Sequence, residues 1–108
     1  MLFDSGGRES SPTLLRRRLA SELRRLRKAS GFSTEQVAKH LYCSVSKISR
    51  VETARVAATL SDVRDLLDLF SVIGQEREEI LQLAREALRK EAWWQAYGDL
   101  REVRTLWA

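Results

Sequence analysis

The chain has 108 residues, room for one small domain around a single core. Apolar residues make up 44% and charged residues 31%, a balance that excludes a disordered chain and fits a globular one. The formal charge of +4 is unevenly placed: residues 1–56 hold 12 Lys/Arg against 5 Asp/Glu, and residues 57–108 hold 7 against 10.

A basic half of this kind points to nucleic acid or an anionic membrane, with a plain solvated basic face as the alternative. One cysteine, Cys43, excludes an internal disulfide and fits a reducing cytoplasm. The opening MLFDSGGRESS lacks the apolar stretch of a signal peptide, and no segment is apolar for long enough to span a bilayer. Many Leu, Ala, Arg and Glu with a single proline predict an all-α fold.

Residues 1–11 are small and polar and read as a flexible N-terminal arm. Ser11-Pro12 then starts a helix, with serine as cap and proline at the first helical position. Leu15, Leu19, Leu23, Leu26 and Ala29 follow as one apolar stripe to about residue 29, surrounded by arginines that read mostly as solvated, with a phosphate contact open for one or two of them. Gly31 ends this helix. Ser33 and Gln36 form a capping box for a second helix, Thr34 to Leu41, that buries Val37, Ala38 and Leu41. Tyr42-Cys43-Ser44 is a turn, and Ser44 caps a third helix that turns Ile48 and Val51 inward. Thr59 and Asp62 form a second capping box, opening a fourth helix to about Phe70 with Leu60, Val63, Leu66 and Leu67 apolar. After Gly74 a fifth helix carries the stripe Ile80, Leu83, Ala84, Ala87, Leu88. Its acidic residues lie first and its basic residues last, which suits the helix dipole. In the tail Trp93, Tyr97, Leu100, Val103 and Trp107 recur at helical spacing, so a sixth helix, weakened by Gly98, is open there. The expected core is Leu19, Leu23, Leu26, Val37, Ala38, Leu41, Ile48, Val51, Val63, Leu66, Leu67 and Ile80.

The second and third helices with their tight turn make a helix-turn-helix. Ala38 must be small, because the two helices cross there. Together with the first helix, Gly31 and "SRVE" at residues 49–52, the chain resembles the phage-repressor, or XRE-type, helix-turn-helix proteins. "SKISRVET", "DVRDLLDLF" and "LAREALRKEAWWQAYGDL" more narrowly resemble actinobacterial regulators that carry this domain at their N-terminus. The resemblance fades after Leu100, where that group usually continues into a longer second domain.

The resemblance implies a five-helix repressor-like domain over residues 12–92, followed by a Trp-rich segment over residues 93–108. It implies a sequence-specific transcriptional regulator whose third helix, residues 45–53, enters the major groove of double-stranded DNA. Val45, Ser46, Lys47, Ser49 and Arg50 then fall on base edges, and Thr34, Ser44 and Arg55 on phosphates. The residue chemistry agrees: arginine bonds guanine bidentately, and valine packs on a thymine methyl. The family also implies a structural ion pair between Arg27 and Glu52. It departs at Tyr42 and Ala54, where glycine is usual, which predicts an altered turn and a different end to the third helix.

A homodimer is expected, with Trp93, Tyr97, Leu100, Val103 and Trp107 as interface or as a docking surface for a partner or a further domain. Trp93 and Tyr97 folding back into the core is the competing possibility. The rival function is a protein-interaction module, such as an antitoxin, working through the Trp-rich tail. No enzyme, metal or cofactor is expected: His40 is the one histidine, and phosphate-loop and metal-ligand spacings are absent. Cys43 reads as a small core filler. The expected location is the cytoplasm, at the nucleoid.

Overall fold

A computed structural model describes residues 12–107, with side chains over residues 13–93. Among the described residues there are five helices and no strand: α1 (Pro12–Ser30), α2 (Thr34–His40), α3 (Val45–Glu52), α4 (Leu60–Leu69) and α5 (Gly74–Trp107). The arm, residues 1–11, and the cap at Ser11 lie outside them. The fold is all-α, with the helix-turn-helix formed by α2 and α3.

Side-chain caps start three of the helices. Ser33 Oγ accepts from the Gln36 amide at 3.1 Å while Gln36 Oε1 accepts from the Ser33 amide at 2.9 Å. Thr59 and Asp62 reciprocate in the same way at α4. Ser44 Oγ accepts from the Lys47 amide at 3.0 Å. Each bond satisfies an amide that the first turn of a helix leaves without a carbonyl.

The first four helices share one ending. Gly31, Tyr42, Ala54 and Ser71 have positive φ of 80°, 55°, 62° and 59°. In each case the next amide reaches back five residues: Phe32 to the Arg27 carbonyl (3.2 Å), Cys43 to Ala38 (3.0 Å), Arg55 to Arg50 (2.8 Å) and Val72 to Leu67 (2.9 Å). This Schellman closure satisfies the last carbonyls and turns the chain sharply. The expectation that the non-glycine residues would alter the turn is therefore corrected. Tyr42 and Ala54 adopt the glycine conformation, and α3 ends at Glu52 with Thr53 as its cap. The strain, about 1 kcal/mol for each non-glycine residue, is offset by the two capping bonds and by the apolar residue that follows in two of the three cases. Cys43 packs half-buried against the core and Val72 is buried.

α5 packs along α1 and against α4, while α3 lies across α2 and the flank of α1. Leu23, Val37, Val63 and Leu67 are the largest fully enclosed side chains. Several expectations about the core need correction. Ala29 is exposed, because successive three-residue steps each fall about 60° short of a full turn and carry the stripe off the buried face. Ala20, on the other edge of that face, is buried instead. Leu41 is half-buried, being the C-cap of α2 rather than part of its inner face. On α5 the buried residues are Ile80, Leu81, Ala84 and Ala87, with Leu83 and Leu88 half-buried. Contact with both α1 and α4 widens that face toward Leu81. No separate sixth helix forms: the backbone of α5 runs on as one helix through Gly98 to Trp107.

Candidate nucleic-acid interface

The eight residues of α3 divide cleanly. Ile48 and Val51 are buried, closing on Val37 and Ala38 of α2 in the common core. Ala38 is 3% exposed, and the absence of a larger side chain there lets the two helices pack closely. The opposite face stands in solvent: Val45 is 41% exposed, and Ser46, Ser49 and Arg50 are exposed beside it. Arg50 donates from Nη1 to Ser46 Oγ one turn earlier, at 3.2 Å, and has no acidic partner among the described residues. Its long stem and free donors suit it to an acceptor outside the protein.

Lys47 differs from its neighbours. Its Nζ lies 3.3 Å from Asp62 Oδ1, so the side chain ties α3 to the first turn of α4. The Asp62 carboxyl also serves the cap of α4, which anchors the pair further. Of the residues predicted on phosphates, Ser44 and Arg55 are exposed and flank the two ends of α3. Thr34 is half-buried, and its hydroxyl donates to Glu35 Oε1 at 3.2 Å. To reach a phosphate it has to exchange that partner.

Glu52 would repel DNA if it faced outward. Arg27 holds it inward by a bidentate pair, with Nε at 2.6 Å from Oε2 and Nη2 at 3.1 Å from Oε1. The third guanidinium nitrogen donates to the Phe32 carbonyl at 2.8 Å. The two side chains are only 13% and 10% exposed, so this clamp joins α1, the α1–α2 turn and α3 nearly out of water. A second arginine fixes the turn just beyond the same end of α3. Arg16 donates from Nη1 to the Ala54 carbonyl at 3.3 Å and pairs through Nη2 with Glu91 of α5 at 2.6 Å. Sequence patterning placed Arg16 among solvated arginines and missed this role. Its partners lie 38 and 75 residues away, beyond any local signal.

Two shallow depressions border the exposed face of α3. One is lined by Ser46, Ser49, Arg50, Thr53 and Arg55. The other is lined by Arg24, Arg27, Thr34, Ser49, Glu52 and Thr53, where α1 and the start of α2 approach α3. No group of His, Cys, Asp and Glu among the described residues has the arrangement of a metal site. None of the described helices is long and apolar enough to cross a membrane. On α5, two residues past Glu91, Trp93 is 58% exposed, so it does not fold back into the core. The side chains of Tyr97, Leu100, Val103 and Trp107 lie outside the described residues.

A helix-turn-helix domain family matches residues 18–80, more than half of the chain, from within α1 to the first turns of α5. The chain belongs to this family of DNA-binding domains. No curated protein and no solved structure matches it significantly.

Proposed function

We propose that the protein is a sequence-specific, double-stranded-DNA-binding transcriptional regulator of the phage-repressor (XRE) type, close to the actinobacterial members. It acts as a homodimer in the cytoplasm, at the nucleoid. The observation that carries this reading is the free face of α3. Val45, Ser46, Ser49 and Arg50 are exposed in one row while the same helix buries Ile48 and Val51. A helix held by its inner face and bare on its outer one suits the width of a major groove. Arg50 reads a guanine, and Val45, Ser46 and Ser49 contact neighbouring base edges. Lys47 contributes by releasing Asp62. Ser44, Thr34 and Arg55 hold phosphates, which fix register without reading sequence.

Residues 12–92, which include the family match at 18–80, are the DNA-binding domain. The C-terminal part of α5, from Trp93 on, is the dimer surface, supported by the exposure of Trp93 on a helix that continues to Trp107. Dimers of such domains span half-sites about one DNA turn, roughly 34 Å, apart. Site selection from a random duplex library, run with wild type and Arg50→Ala at matched salt, tests the reading. The expected result is a lost preference at one base pair and a loss of about 1–3 kcal/mol on the selected site. An identical motif and affinity for both proteins would instead favour a protein-interaction module, such as an antitoxin, that works through the exposed Trp93 end.

A further inference from the structure

We infer that Arg24, on α1 and outside the helix-turn-helix, is a phosphate-gripping residue that extends the DNA footprint along the flank of α3. This rests on the reading of α3 as the DNA-contacting helix. The arginines of α1 fall into different environments. Arg16 and Arg27 are held by Glu91 and Glu52, and Arg25 bridges Glu22 and Glu76 at 2.8 and 3.0 Å. Arg24 is exposed and has no acidic partner among the described residues.

Its position sets it apart from a merely solvated cation. Arg24 lines the depression formed with Thr34, Ser49 and Thr53, and this depression shares Ser49 and Thr53 with the one that holds Arg50 and Arg55. The two therefore adjoin at Ser49 and Thr53 of the exposed ridge of α3. The one carboxylate in the Arg24 depression, Glu52, is already neutralised by Arg27, so Arg24 leaves that wall net positive. Hydroxyls from Thr34, Ser49 and Thr53 supply further polar groups to the same wall. The Thr53 hydroxyl donates to the Ser49 carbonyl at 2.8 Å, which leaves the arginine as the main donor. With α3 in a groove, the flank occupied by Arg24 meets a bordering strand. A phosphate is the acceptor that fits a guanidinium with several free N–H groups.

The test is equilibrium binding of the full chain and its variants to two duplexes, the wild-type-selected site and a scrambled one, over a range of salt. Arg24→Ala is expected to weaken both duplexes by the same factor, about three- to tenfold, and to lower the salt slope by about one counterion. Arg24→Lys is expected to restore most of the slope, because lysine keeps the charge. Arg18→Ala, on the face that carries the Arg25–Glu76 pair, is expected to change neither. An Arg24→Ala variant with wild-type affinity and slope, or one no weaker than Arg18→Ala, overturns the assignment. In that case an intact Arg50→Ala effect still upholds the reading of α3. Absence of DNA binding by wild type would overturn both.

Discussion

Neutralising Glu52 probes the link between α1 and α3 most directly. In Glu52→Gln the shape is kept, but Arg27 loses its ion pair and one of its two bonds to residue 52, keeping the Phe32 carbonyl and a weaker bond to the new amide oxygen. Because the Arg27 side chain is 13% exposed, water replaces little of what is lost. Breaking a buried pair from one side costs about 3–5 kcal/mol. The surviving carbonyl bond and one weaker bond to the new amide bring the expectation to about 2–3 kcal/mol. For a domain of this size that corresponds to a fall in melting temperature of roughly 10–20 °C. Replacing both residues, as in Arg27→Met with Glu52→Leu, should be far milder than either single change, since an apolar pair leaves no stranded charge. Urea and thermal unfolding of wild type, the single variants and the double variant measure the coupling. A Glu52→Gln loss below about 0.5 kcal/mol would mean that the pair behaves as an exposed one, and the argument from burial would be wrong.

Ala54→Gly should stabilise the protein by about 0.5–1 kcal/mol, because Ala54 sits at φ 62° and glycine enters that region without strain; an unchanged or lower denaturation midpoint would refute this. Gly31→Ala should have the opposite sign through backbone conformation alone, since an added Cβ at Gly31 meets nothing within 4 Å, and its melting curve checks the point. Ala38→Leu should overpack the contact between α2 and α3, with a loss of about 1–3 kcal/mol read by chemical denaturation. Placing glutamate at both Leu100 and Val103 should convert the proposed dimer into a monomer of unchanged helicity; sedimentation showing equal masses for this variant and wild type would remove the tail from the proposed interface.

What the sequence determined by itself was local. Ser33-Gln36 and Thr59-Asp62 name their helix starts because a cap joins residues three apart. Ile48 and Val51 declare the inner face of α3 because helical periodicity is a property of adjacent turns. The same local signals misplaced Ala29 and Leu41 and passed over Leu81, whose burial depends on where a neighbouring helix lies and not on spacing. They also suggested trouble at Tyr42 and Ala54, since propensity counts only the strain of the residue itself. The folded chain adds two capping bonds at each position, and at Tyr42 also an apolar neighbour, Cys43, against the core. Tertiary structure alone decided which cations are free. Nothing near Arg16, Arg24 or Lys47 in the sequence distinguishes them from one another, yet packing brings Glu91 and the Ala54 carbonyl to Arg16, Asp62 to Lys47, and to Arg24 only the open wall beside α3. Such partners lie far apart along the chain, and the cost of closing those loops is met only when the whole core forms, so no short window of sequence carries the information.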